Sequence, residues 1–539
     1  MSEPVPGGGV YALLSDGTTA LIRQAAPDDF DAVKAMHEQM SPENAYLRFF
    51  SMSRTAPERE ARRICREPGD DHAALLVIYG GQVAGVASYE VTRGGGQTDS
   101  AAQQPRAEVA FAVADSMHQR GIATLLLEHL VSIARARGLA AFTAETLGEN
   151  TGMLRVFSDA GLPVRTRRAE GAVEVTIPLP PGGRSGQASR GSAAEMEAYL
   201  DTVSRRERDA AANSLAPVFS PESVVVVGAS RRPGTVGRSV LDNISGGGFE
   251  GTLYAVNRNA TDIGGVPSFP DVASLPTAPD LALVAVPPPE VLSAAEACGE
   301  RGVRGLVVVT AGLAAAQSAD LLDTCRRYGM RLIGPNCFGI AVPATGLDAT
   351  FAAAPPLPGG AGLVMQSGGL GFSMIDHLSR LGIGISSFAS VGDKLDVSSN
   401  DMLMWWERDG VTKVAVLYIE SFGNPRKFAR TARRVGRRMP VLTVHAGRGG
   451  AANDHDHHDD PGKHDGNPDG RTGTAPRASS AALFEQAGII ATPGFGELVE
   501  ATALLATQPP PDGRTVAIVA NVDGAGRLAA DACAEHGLA

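Results

Sequence analysis

Apolar positions in the first third of the chain switch between two periods. Leu75 to Tyr79 and Val83 to Tyr89 flank Gly80-Gly81, the pattern of a β-hairpin closed by a glycine turn. Val109 to Ala114 alternates as a strand. Ile122, Leu125, Leu126, Leu130 and Ile133 then recur at helical spacing until Gly138. Between them lies Met117-His118-Gln119-Arg120-Gly121-Ile122-Ala123, a loop that enters its helix through glycine. Such an entry turns backbone N–H groups and the positive end of the helix dipole toward a phosphate; the plainer alternative is an ordinary strand-to-helix turn.

Beyond residue 180 the pattern changes. Residues 181–215 read as linker and helix: Pro178 to Gly191 is rich in Pro, Gly and Ser, and Ala193 to Ala212 reads as a charged amphipathic helix. Continuous apolar strands follow at Val224–Val227, Thr252–Val256, Leu281–Val286 and Gly305–Val309, with Val291–Arg301 helical before the last of them. That alternation predicts a doubly wound parallel sheet with ligands at the carboxyl ends of its strands. Near the end, Arg514 to Val519 reads as a strand and Asp523 onward as a helix, the start of a third, truncated α/β unit over 513–539.

A chain of 539 residues carries several domains, and its formal net charge of −11 argues against nucleic acid as a partner. Basic residues are nearly all arginine; the lysines are Lys34, Lys394, Lys413, Lys427 and Lys463. Five scattered cysteines form no CxxC pair and no disulfide framework, which fits a reducing cytoplasm. Neither a signal peptide nor a membrane-crossing apolar run is read, so a cytoplasmic location and no membrane partner are expected.

The loop His118-Gln119-Arg120-Gly121-Ile122-Ala123 resembles the acyl-CoA pyrophosphate loop of the GNAT N-acetyltransferases, Gln/Arg-x-x-Gly-x-Gly/Ala, with His118 in place of Gln or Arg. The order of surrounding motifs agrees over residues 11–180. Ser41-Pro42-Glu43 leads to Tyr46-Leu47-Arg48-Phe49-Phe50, and Glu108 opens the strand before the loop. Asn150 precedes the helix that carries Phe157. The resemblance implies acetyl-CoA as donor, held by residues 118–123 and Asn150. It also implies Glu108 as the general base. A free lysine has a pKa of about 10.4, so freeing its amine near pH 7 costs roughly 4–5 kcal/mol, and a carboxylate that takes the proton is the expected device. The bland alternative for Glu108 is a surface glutamate on a strand. Phe157 stands where many of these enzymes place a tyrosine acid for the departing thiolate. With a thiol pKa near 8.5, departure without that acid is tolerable.

Gly228-Ala229-Ser230, Val256-Asn257-Arg258, Val286-Pro287-Pro288 and Gly334-Pro335-Asn336-Cys337-Phe338-Gly339 together resemble the CoA-binding domain of NDP-forming acyl-CoA synthetases, the superfamily of succinyl-CoA synthetase. Gly228, Ser230, Asn257, Pro287 and Asn336 are the implied contacts of a second acyl-CoA site over residues 216–345. A nicotinamide cofactor is disfavoured, because no G-x-G-x-x-G follows the first strand and Asn257 stands where an acidic residue would hold the ribose. The resemblance continues into a flavodoxin-like ligase domain over 358–507, through Gln366-Ser367-Gly368-Gly369, Gly392-Asp393-Lys394 and Glu420-Ser421. The phosphoryl-carrying histidine segment of active ligases is missing: Ser479-Ser480 takes its place, after a low-complexity insertion at 449–478. Its Asp454-His455-Asp456-His457-His458-Asp459-Asp460 run reads as a metal site, a displaced phosphorylatable histidine or, more plainly, a solvated insertion. No nucleotide-supplying ATP-grasp domain is read either, so the chain is either a piece of a longer protein or an architecture without that domain.

The expected fold is therefore α/β, a GNAT domain followed by a Rossmann-like CoA-binding domain and a flavodoxin-like ligase domain. The arrangement resembles the bacterial Pat-type protein lysine acetyltransferases. That implies acetyl transfer to a lysine of a metabolic enzyme such as AMP-forming acetyl-CoA synthetase, with acetyl-CoA as substrate, no tightly bound cofactor and no metal. The alternatives are the alpha-like component of an NDP-forming acetate–CoA ligase, a non-catalytic CoA sensor, and a transferase acting on a small amine.

Overall fold

The computed structural model of the protein describes residues 9–50, 55–67, 69–92, 105–169, 172–179, 190–421, 424–445, 477–509, 511 and 513–539. Three sheets succeed one another along the chain. The first comprises β1 (Val10–Leu13), β2 (Thr19–Gln24), β3 (His72–Tyr79), β4 (Gln82–Thr92), β5 (Arg106–Val113), β6 (Ala141–Leu147), β7 (Arg165–Ala169) and β8 (Ala172–Pro178), in the order β1-β2-β3-β4-β5-β6-β8-β7. All neighbouring pairs are antiparallel except β5 and β6, which run parallel. The helix Ile122–Ala136 covers one face, where Leu126, Leu127, Leu130 and Ala134 are fully buried. The helices Phe30–Glu38 and Ala56–Ile64 cover the other, packing Val33, Met36, Ala61 and Ile64 against Leu76, Val86 and Ala112. Period-2 alternation cannot produce a strand buried on both faces, which is why β3 and β4 read as continuous apolar runs.

The second sheet comprises β9 (Ser223–Val227), β10 (Thr252–Val256), β11 (Asp262–Ile263), β12 (Val266–Phe269), β13 (Leu281–Val284), β14 (Gly305–Val308) and β15 (Arg331–Ile333). Its order is β11-β12-β10-β9-β13-β14-β15, parallel throughout but for the small β11–β12 pair. The chain crosses from one side of β9 to the other between β12 and β13, so the sheet reverses direction there and leaves a crevice at its carboxyl edge. The ladder ends at Val284 rather than at Val286, because Ala285, Val286 and Pro287 turn outward to line that crevice.

The third sheet comprises β16 (Gly339–Val342), β17 (Leu347–Thr350), β18 (Pro358–Met365), β19 (Ile385–Ser390), β20 (Val414–Ile419), β21 (Val441–His445) and β22 (Ile490–Thr492), in the order β17-β16-β19-β18-β20-β21-β22. It thus takes in residues 339–350, ahead of the expected start at 358. The 449–478 insertion lies, but for its last two residues, outside the described residues.

Two elements differ from expectation. The linker helix spans Arg190–Phe219, well past residue 212. Tyr199 inserts into the core of the first domain, whereas Leu215, Val218 and Phe219 are buried in that of the second, so one helix is built into two cores. Arg514 to Val519 is not a strand: no sheet among the described residues accepts it, and Val519 is 96% exposed. Only its helix, Asp523–Glu535, forms as read. An apolar run becomes a strand only when a neighbour supplies the ladder.

Candidate functional site

In the first domain β5 and β6 are paired at just three positions, Arg106 with Ala141, Ala107 with Phe142 and Glu108 with Thr143. Beyond Glu108 the ladder stops and the strands run apart to Val113 and Leu147. This opens a wedge whose wide end is closed by two helix N-termini, those of Ile122–Ala136 and Thr151–Asp159. Strand groups facing such a gap have no cross-strand partner and can bond an inserted, amide-bearing chain.

The loop at the wide end is held in one shape. His118 Nε2 donates to Val113 O at 3.1 Å. Gln119 has φ 63° and Gly121, at the helix N-cap, has φ 77°. At Gly121 that left-handed backbone favours glycine, and the turn delivers the unpaired N–H groups of the first helical turn to one side. Arg120 pairs with Asp16 at 3.3 Å and lies over the Tyr79 ring at 5.5 Å. Asn150 caps the second helix, its Oδ1 accepting from Met153 N at 3.0 Å. Phe157 is buried and packs edge-on against Phe111 at 6.0 Å, so it serves the core and offers no proton.

Glu108 stands exposed at the narrow end of the wedge. Directly across β4 is Glu90, which meets Arg63 at 3.8 Å, Arg66 at 3.7 Å and His72 Nδ1 at 4.0 Å. Glu60 beneath them takes Arg48 and, at 2.6 Å, Arg63. Burial pushes the Glu60 carboxyl up, but the two guanidinium groups outweigh it and hold it below the usual carboxylate range. Among the described residues Glu108 itself is in no ion pair, although Arg48 and Arg63 lie within electrostatic reach. Sequence reasoning missed Glu90 and the three arginines, because strand register and helix docking bring them to Glu108.

In the second domain, a cavity of about 420 Å³ occupies the crevice at the switch point. It brings together Gly228, Ser230, Asn257 and Pro287, four of the five residues singled out for a CoA site. Gly228 has φ 91°, and a Cβ there would stand 2.5 Å from Ala285 O, so the close passage of the loop over β13 excludes any side chain. Asn257 ties two loops, donating to Ala229 O at 2.7 Å and accepting from Asn259 N at 2.9 Å. Arg258 and Glu290, 3.5 Å apart, line the cavity too. A volume of this size suits a small-molecule ligand or part of a larger one. Asn336 does not line it. Asn336 instead donates to Asp393 Oδ1 at 3.1 Å, at the joint with the third domain.

In that third domain Gln366 Oε1 accepts from Glu420 N at 3.0 Å and from Ser421 N at 3.3 Å. Lys394 reaches the Ser421 backbone oxygen and, at 2.8 Å, its hydroxyl. Burial lowers the Lys394 pKa, with Glu420 opposing. The His455 to His464 group lies outside the described residues, and so do the side chains of His445, Ser479 and Ser480. Among the described residues no cluster of His, Cys, Asp and Glu could hold a metal ion. No helix among them is long and apolar enough to cross a membrane.

Three family models match in succession: the acetyltransferase (GNAT) family over residues 40–162, a CoA binding domain over 222–343, and a succinyl-CoA ligase like flavodoxin domain over 358–505. The acetate–CoA ligase (ADP-forming) I subunit alpha of Pyrococcus furiosus is 32% identical over 335 residues, covering 60% of this chain and 70% of that protein. The chain belongs to the ADP-forming acetate–CoA ligase family. A second member of that family, the ADP-forming acetate–CoA ligase of Methanocaldococcus jannaschii, is 33% identical over 59% of this chain, which spans 44% of its length. In the ligase-family member described here, a GNAT domain precedes the shared region. That domain is similar to the solved GNAT domain of S. lividans PAT, with 33% identity over 32% of this chain and 97% of that one, at a TM-score of 0.29.

Proposed function

We propose that the chain is a Pat-type protein lysine acetyltransferase whose GNAT domain transfers acetyl from acetyl-CoA to a lysine of a metabolic enzyme such as AMP-forming acetyl-CoA synthetase. The observation that carries this reading is the end of the β5–β6 ladder at Glu108, with the 118–123 loop closing the opposite end of the same wedge. A donor whose diphosphate lies on the loop amides and whose pantetheine arm follows the wedge brings its thioester toward Glu108. In this reading Asn150, whose Oδ1 caps the helix Thr151–Asp159, meets the same arm.

Glu108 then takes a proton from the lysine ammonium, directly or through water, and the freed amine attacks the thioester carbonyl within a ternary complex. Main-chain donors polarise the carbonyl oxygen as negative charge builds there. Collapse of the tetrahedral adduct breaks the carbon–sulfur bond and expels CoA thiolate. With Phe157 buried, the proton for sulfur comes from the product nitrogen or from water.

In this reading the ligase-like half binds acyl-CoA in the Gly228–Asn257 cavity and regulates the transferase. Family membership and the Gln366–Glu420 arrangement favour a second reading, an alpha-type ligase component. Thiol release from acetyl-CoA with acetyl-CoA synthetase as acceptor tests the first. Acetyl-CoA formation from acetate, CoA and ATP tests the second.

A further inference from the structure

The tip of the β1–β2 hairpin, Leu14 to Thr18, is clasped from two sides. On one side it grips the pyrophosphate loop: Ser15 N donates to Arg120 O at 3.0 Å, Ser15 Oγ to Gln119 O at 3.4 Å, and Asp16 pairs with Arg120. The turn is fixed internally by Asp16 Oδ1, which accepts from Thr18 N at 3.0 Å and from Thr18 Oγ1 at 2.7 Å. On the other side it sits on the helix Arg190–Phe219. Asn213 Nδ2 donates to Ser15 O at 2.8 Å, and a Cβ on Gly17 (φ 85°) would fall 2.3 Å from Ser214 N. A single residue, Ser15, is therefore bonded at once to the donor loop and to the bridging helix.

The helix is anchored in turn. Ser214 Oγ accepts from Arg331, a buried guanidinium that also binds Asp396 at 2.8 Å and Asp401 at 3.1 Å. Asp396 lies two residues from Lys394 and three from Asp393, the partner of Asn336. The second and third domains thus meet the bridging helix at Arg331, and the only side chain carried from this hub to the hairpin tip by a hydrogen bond among the described residues is that of Asn213.

We infer that Asn213 of the bridging helix is a positioning residue for the acetyl donor: through Ser15 it sets the backbone of Gln119 to Gly121, and so makes donor binding depend on how the ligase-like half is docked. The inference rests on the acetyltransferase reading of the 118–123 loop. Contacts in series transmit energy only where an element has two arrangements, so the test must read the loop itself.

Amide hydrogen exchange and calorimetric titration with acetyl-CoA on the full chain provide that reading. Asn213→Asp keeps the shape but sets an acceptor against Ser15 O, and Asn213→Ala removes the donor alone. Both should speed exchange at Gln119 to Thr124 in the unliganded protein while β3 and β4 keep their protection. Affinity at the site that protects those amides should fall about 3- to 10-fold, the scale of one hydrogen bond, and more for Asp than for Ala. Wild-type loop exchange and wild-type affinity in Asn213→Asp overturn the inference alone. If acetyl-CoA protects no amide from Gln119 to Thr124 in the wild-type chain, the acetyltransferase reading falls and the inference with it.

Discussion

Glu90 and Glu108 face each other across β4 and β5, yet Arg63 and Arg66, at the end of the helix Ala56–Ile64 and just beyond it, form ion pairs with Glu90 and none with Glu108. Glu60 and Glu90 share Arg63, and Glu90 also takes Arg66, which leaves Glu108 outside any ion pair among the described residues. In the proposed mechanism this leaves Glu108 free to accept a proton without first breaking an ion pair.

Glu108→Gln keeps shape and removes basicity. Turnover should fall by roughly 10²–10⁴ with acetyl-CoA affinity little changed. Near-normal turnover at pH 7 would assign the base to another group. Glu90→Gln should act differently: it frees Arg66 to turn toward Glu108 while Glu60 keeps Arg63, and turnover should drop roughly 2- to 5-fold, the scale of an exposed ion pair. A parallel pH–rate comparison separates loss of the base from its capture.

The proposed second acyl-CoA site is testable at Asn257. Gly228 is unsuited to the purpose, because any side chain there would collide with Ala285 O and disturb the sheet itself. Asn257→Ala loosens both loops of the cavity, and acyl-CoA binding there should weaken about tenfold. If that site regulates the transferase, the apparent donor affinity of the full chain should also move, within the 5- to 150-fold range typical of coupled sites. Identical saturation curves for wild type and variant would make the second half a scaffold.

Phosphoryl transfer offers a third check. On the reading that Ser479-Ser480 takes the place of the histidine segment, the chain should take no label from γ-phosphate-labelled ATP and form no acetyl-CoA from acetate and CoA. Acid-labile phosphate on His445, His455, His457, His458 or His464 would restore the ligase reading.

His37 provides a pH signature of the acetyltransferase domain. It is buried beside Phe49, and burial lowers its pKa to about 4. Because the folded value is depressed, the unfolded chain binds the proton first. The contribution to stability is full above about pH 6.5 and is lost as pH falls toward 4, by about 3 kcal/mol. Amide protection factors over Phe30–Glu38, corrected for the intrinsic pH dependence of exchange, should fall across that window, and His37→Gln should flatten the response. Both tryptophans, Trp405 and Trp406, lie in the third domain, so their fluorescence would not follow this transition.

Much of this was legible from residue order. The wedge announces itself through Glu108, the 118–123 loop and Asn150, all within one stretch of chain. The cavity does so through short motifs that each end a strand. What could not be read depends on distance along the chain. Glu90 meets Glu108 only through hairpin register, and Asn336 turns to Asp393 because two domains dock there. The helix Arg190–Phe219 reads as a charged amphipathic helix, but only the structure shows that Tyr199 enters one core and Leu215, Val218 and Phe219 another. Arg514 to Val519 has a strand's apolarity without a neighbour to pair with.

The most direct measurement is mass spectrometry of a cell lysate incubated with acetyl-CoA and either the wild-type chain or Glu108→Gln. The account predicts a restricted set of acetylated lysines that appear with the wild-type chain and disappear with the variant. Identical lysine acetylation in both samples, or none above a protein-free control, would contradict it.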